Sequence, residues 1–88
     1  MAKRVDRNHG LIVQSLRRRG ASVISLATLG KGAPDLCIGF QGQTMLAEIK
    51  TKTGKLNAMQ RSWHDTWRGE KVVVLRTSED VKELLRKE

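Results

Sequence analysis

The sequence predicts an α/β fold in which a mixed central sheet is flanked by helices, with the element order αβββαβα. Three observations carry that prediction. Apolar residues switch between the helical and the strand period along the chain, and glycines and the single proline stand where the period changes. The length of 88 residues leaves room for one core, read as one domain over 1–88. With 39% hydrophobic residues and no Pro/Ser-rich stretch, the composition is that of a globular domain.

Val5, His9, Ile12, Val13 and Leu16 recur at helical spacing, and Gly20 follows the triplet Arg17-Arg18-Arg19. This is an amphipathic helix over Val5–Arg19 with cations at its negative end, a glycine stop, and Asp6 as a cap near its start. Ala21 to Thr28 is rich in β-formers and reads as the first strand, and Gly30-Lys31-Gly32-Ala33-Pro34 breaks the pattern as a loop. Asp35–Phe40 and Thr44–Lys50 are apolar-rich runs joined by Gln41-Gly42-Gln43, a hairpin signal that makes them antiparallel neighbours. Leu56, Met59, Trp63 and Trp67 mark a second amphipathic helix ended by Gly69. Lys71–Arg76 is a buried strand, and Ser78-Glu79-Asp80 caps a last helix that turns Val81, Leu84 and Leu85 inward.

Seventeen Lys and Arg against nine Asp and Glu give a formal net charge of +8, which points to an acidic partner such as a nucleic acid. One Phe, two Trp and no Tyr are too few aromatics for a base-stacking platform, so phosphates are the expected contact. Arg4 and Arg7 near the start, Lys31 in the glycine-flanked loop, and Lys52 and Lys55 in mid-chain are the candidate nucleic-acid-binding residues. Gly30-Lys31-Gly32 lacks the spacing of a nucleotide-binding P-loop. No apolar run approaches the roughly 20 residues of a membrane helix, and Met1-Ala2-Lys3-Arg4 leads into a polar helix. The lone Cys37 fits a reducing compartment, so a cytoplasmic protein of a bacterial or phage-infected host cell is expected.

The chemistry concentrates in the hairpin. Residues two apart on a strand share a face, so Glu48 and Lys50 project together. A turn with an even number of residues, for instance Gly42-Gln43 with Gln41 opposite Thr44, sets Asp35 opposite Lys50 and Cys37 opposite Glu48. That register also gathers Leu36, Ile38, Phe40, Met45, Ala47 and Ile49 on the other, apolar face. Two nearby carboxylates repel unless a cation lies between them, and hard oxygen donors suit Mg²⁺ or Mn²⁺. A divalent ion beside a lysine is equipment for phosphodiester hydrolysis. Taken alone, however, a Glu-x-Lys pair is common on solvated strands, with Asp35 then only a turn residue after Pro34.

The combination of Gly30-Lys31-Gly32-Ala33-Pro34-Asp35-Leu36, then Glu48-Ile49-Lys50, then Leu56, Gln60 and Trp63 resembles the virus-type replication-repair nuclease (VRR-NUC) domain of the PD-(D/E)XK nuclease superfamily. The resemblance runs from about Val5 to about Val81. It implies a restriction-endonuclease-like core and a metal-dependent, structure-specific DNA endonuclease. Asp35, Glu48 and the main-chain carbonyl of Ile49 would hold the metal, and Lys50 would be catalytic. Gln60 matches a family motif position, from which it could contact the scissile phosphate or the metal-bound water, the alternative being a polar residue of the helix surface. Stand-alone members of this size resemble homodimeric Holliday-junction resolvases, which implies branched DNA as partner.

One departure concerns the first helix, where related nucleases carry an acid that completes the metal site. Here His9 is the inward-facing residue expected near Ile12 and Leu16, preceded by Asp6 and Asn8. His9 can replace the acid as a ligand, act through water, or pack as a neutral histidine, and packing or capping is the favoured of these. His64, one turn beyond Gln60, is expected to face solvent. Trp63 and Trp67 are expected in the core or a dimer interface, and Cys37 as a small buried residue. A non-catalytic nucleic-acid-binding module and a structural or partner-binding protein are the alternatives. The first leaves Asp35, Glu48 and Lys50 without a purpose.

Overall fold

A computed structural model describes residues 7–86, so the expectations for Arg4, Val5 and Asp6 lie outside the described residues. Helix α1 (Arg7–Arg18) buries Ile12 and Leu16, four residues apart on one face. It ends in a Schellman turn. Gly20 takes φ +98°, its N–H donates to Arg17 O (3.0 Å), and Ala21 N–H donates to Leu16 O (3.1 Å).

The remaining elements are β1 (Ser22–Ser25), β2 (Leu36–Phe40), β3 (Gln43–Ile49), α2 (Ala58–Thr66), β4 (Val73–Leu75) and α3 (Ser78–Leu84), so the αβββαβα order stands. Strand β1 is shorter than Ala21–Thr28 because its partner begins at Leu36. Past the pair Ser25↔Leu36, Leu26 N–H donates to Asp35 O (2.7 Å) and the chain turns. Strand β4 is also shorter than Lys71–Arg76, because the Asp80 carboxylate takes the N–H groups of Arg76 (2.7 Å) and Thr77 (3.1 Å). The cap of α3 is accordingly Thr77, with Asp80 closing a capping box, and not the Ser78-Glu79-Asp80 run itself.

The sheet order is β1-β2-β3-β4, antiparallel except for the parallel pair β3·β4, whose crossover contains α2. The β2–β3 register differs by two residues from the one that makes Gly42-Gln43 the turn. Gln41 (φ +50°) and Gly42 (φ +81°) are the turn residues, and Phe40 pairs with Gln43. Positive φ at both central positions is a type I′ turn, which matches strand twist and favours glycine second. Cys37 therefore lies opposite Leu46, not Glu48. A shift of two keeps every side chain on its face, so Leu36, Ile38, Ala47 and Ile49 remain together in the core.

That apolar face packs against Ile12 and Leu16 of α1 and Val81 of α3, with Leu75 and Leu85 completing the core. Helix α2 buries none of its residues and lies against the opposite, polar face. Trp63 and Trp67 stack on each other with ring centroids 4.8 Å apart and stand outside the core cluster. One face of the sheet is thus sealed, and the other is left for polar chemistry. Among the described residues no helix is long and apolar enough to cross a membrane.

Candidate active site

Pairing ends with Leu36↔Ala47 at the start of β2, so the next positions outward set Asp35 beside Glu48 and Pro34 beside Ile49. Asp35 thus meets Glu48 and not Lys50, as the two-residue shift requires. Both carboxylates are buried, Asp35 being 8% and Glu48 1% exposed. Lys50 follows on the face of Glu48 and is half-buried.

The main chain beside the carboxylates is held from both neighbouring strands. Lys50 turns its N–H to β4, donating to Leu75 O (3.1 Å), so Ile49 turns its peptide groups toward β2. There Ile49 N–H donates to Asp35 Oδ2 (2.9 Å). Its carbonyl faces the register position of Pro34, which has no N–H to offer. Carboxylate and carbonyl oxygens are hard donors, so Asp35, Glu48 and the Ile49 carbonyl are of the chemistry that could hold Mg²⁺ or Mn²⁺. Burying carboxylates is costly, and hydrogen bonds from Ile49 N–H to Asp35 and from Gln60 Nε2 to Glu48 offset part of that cost.

Gln60 is anchored at both ends of its amide. Asn57 caps α2 by accepting from Gln60 N–H (2.8 Å), and Asn57 N–H donates to Gln60 Oε1 (2.9 Å), leaving Nε2 to donate to Glu48 Oε2 (3.1 Å). The capping box therefore fixes which way the amide points. His64, four residues on, does not face solvent. Its Nε2 stands 3.7 Å from Glu48 Oε1, and its side chain is 12% exposed. Burial pushes the imidazole below its ordinary pKa, with Asp65 acting against that shift and Lys50 adding to it. Its position follows from helical spacing once Gln60 is known to touch Glu48.

Other sequence-predicted residues take separate places. Asn8, not His9, shares the face of Ile12, and its Nδ2 donates to the main-chain oxygens of Lys50 (2.9 Å) and Arg76 (3.2 Å). His9 lines a different cavity of about 460 Å³ with Val13, Arg17 and β1 residues Val23 and Ser25. Among the described residues no group of three or more His, Cys, Asp and Glu side chains is disposed to hold a metal. Lys31 is exposed on a loop that packs against α2 through Gly32, while Lys52 and Lys55 are exposed on the loop after Lys50. Arg7 and Lys52 line one cavity of about 530 Å³ together with Arg76. Cys37 is half-buried, as a free thiol.

The Gln60–Glu48 contact predicts that Gln60→Ala lowers activity about 10- to 100-fold, the usual effect of losing a group that orients a metal-binding side chain. Asn57→Ala removes the helix cap but not the amide, and is expected to cost about 1 kcal/mol of stability with a smaller loss of activity. Equal losses in the two variants would assign the effect to the start of α2 and not to the amide.

No family model matches the sequence, and no curated protein matches it. Among solved structures, one described as a VRR_NUC domain superposes with a TM-score of 0.72 at 26% sequence identity, covering 90% of this chain and 95% of that chain.

Proposed function

The chain is a VRR-NUC-like, nuclease-family domain, and on that premise we propose that it is a Mg²⁺- or Mn²⁺-dependent endodeoxyribonuclease that hydrolyses phosphodiester bonds in branched DNA such as a Holliday junction. The observation that carries this reading is the burial of Asp35 and Glu48 side by side on neighbouring strands, beside the Ile49 carbonyl and Lys50. A sheet used only to bind phosphates has no reason to bury two carboxylates there.

Asp35, Glu48 and the Ile49 carbonyl would hold the ion, which when bound supplies Lewis acidity toward a phosphate oxygen and the attacking water. Asp35 is oriented by the Ile49 N–H, and Glu48 by the Gln60 amide. Lys50 brings an ammonium to the same face, where it stabilises negative charge that grows on the phosphate in the transition state. Lys31, Lys52, Lys55 and Arg7 bind flanking phosphates, in keeping with the net charge of +8. Branched DNA calls for two sites acting on opposed strands, so the active form is a homodimer. Exposed Met59 on α2, Trp67 at its C-cap and Ile24 on the edge strand β1 supply apolar surface for a second copy.

The test is cleavage of four-way-junction, flap and linear DNA with Mg²⁺ or Mn²⁺ by wild type and Lys50→Ala. Wild type is expected to cut the junction in preference to linear duplex, and Lys50→Ala to cut about 10²- to 10³-fold more slowly while still binding. Binding without cleavage under either metal would return the protein to the non-catalytic alternative.

A further inference from the structure

Strands β3 and β4 run parallel and leave the sheet at the same edge, so the loop after Lys50 and the residue after β4 emerge side by side. That residue is Arg76. Its Nη1 donates to the carbonyls of Thr51 (2.7 Å) and Gly54 (2.6 Å), with Lys52 O at 3.4 Å. The loop is therefore curled with its carbonyls inward around one guanidinium nitrogen, and Gly54 N–H closes it onto Thr51 O (3.2 Å). Arg76 is itself held from both sides, its N–H donating to Asp80 Oδ2 (2.7 Å) and its carbonyl accepting from Asn8 Nδ2 (3.2 Å).

We propose that Arg76 is a positioning residue for nucleic-acid binding, holding the Thr51–Lys55 loop in the shape that presents Lys52 and Lys55, with Arg7, to phosphates beside the cleavage site. The inference rests on the nuclease reading for where the DNA lies. Converging carbonyls repel a phosphate, and Arg76 neutralises them while spending its Nη1 on the loop. The lysines are then left outward, where both are exposed, and Lys52 stands on the wall of the cavity it shares with Arg7 and Arg76. The two N–H groups of Nη1 match the two short bonds to Thr51 and Gly54, and the planar guanidinium fixes their direction. Ordering the loop before DNA arrives removes an entropic penalty from binding.

Affinity for a four-way junction is measured against salt concentration in EDTA, so that no cleavage is needed. Changing Lys52 and Lys55 together to Ala is expected to lower the slope of log K against log salt by about 2, close to 0.9 for each phosphate left without its cation. Arg76→Gln is expected to lower it by the same amount, after which the lysine changes have no further effect. In cleavage, Arg76→Gln raises KM and leaves kcat near wild type. A slope lowered by about 1 with the lysine effect intact would make Arg76 a direct phosphate contact and overturn the proposal. So would an unchanged slope. Wild-type hydrogen exchange provides a readout that no folding defect in a variant can obscure. The Gly54 amide should be protected before DNA is added, and protection appearing only with DNA overturns the proposal. A protein that binds with this pattern but cuts nothing loses the nuclease reading and keeps this one. A wild type that does not bind DNA loses both.

Discussion

Glu48→Gln is expected to lower cleavage by about 10³-fold or more while the metal-free protein melts at or above the wild-type temperature. The two halves of that result have different causes. Glu48 is almost wholly buried, and replacing a buried carboxylate by an amide of the same shape removes a desolvated charge without opening a cavity. Gln60 Nε2 still finds an oxygen to donate to, since the new amide keeps one where Glu48 Oε2 now stands. What disappears is an anionic donor for the ion. A metal titration separates chemistry from folding, because a ligand that binds only the folded state stabilises it by about 2.7 kcal/mol at a hundred times its Kd. For a domain of 60–100 residues that is a rise in Tm of about 10 °C or more. The wild type should show this rise with Mn²⁺ or Mg²⁺, and Glu48→Gln should not. If the variant melts well below wild type without metal, its inactivity reports unfolding and the assignment of Glu48 to the ion loses its support.

How far this site could be read from the chain depended on what kind of contact makes it. Strand alternation is a property of single residues and their neighbours, so the separation of Leu36, Ile38, Ala47 and Ile49 from Asp35, Glu48 and Lys50 was legible. The register was not, because Gln41-Gly42 and Gly42-Gln43 are both two-residue turns, and only backbone twist selects the one with glycine second. His64 could have been placed from its spacing to Gln60, but the sequence alone does not say that Gln60 reaches Glu48. Asn8 and Arg76 were beyond reach for another reason. Both bind main-chain carbonyls at strand ends far away along the chain, and carbonyls leave no mark in residue type. Which of the adjacent residues Asn8 and His9 turns inward has the same origin, since it is decided by what α1 packs against and not by residue type.

Gly32→Ala is expected to impair both folding and activity, and the reason lies in a contact between two backbones. Gly32 has φ +85°, where an L residue costs about 1–2 kcal/mol. A Cβ there would also stand 2.5 Å from Met59 O and 2.9 Å from Met59 C, atoms of the α2 main chain that no rotamer change can move aside. Either the loop that leads to Asp35 or the first turn of α2 must shift. Met59 is followed by Gln60, so a shift of α2 carries the amide away from Glu48, and a shift of the loop disturbs Asp35. The expected result is a fall in Tm of about 4–16 °C together with a loss of activity of about 10- to 100-fold. Gly30→Ala supplies the comparison: its φ is +67°, but nothing lies within 4 Å of the added Cβ. It should therefore share the conformational penalty and keep its activity. Equal activity in the two variants would show that the close approach of loop and helix does not set the position of Gln60, and that the carboxylates are held in place by the sheet alone.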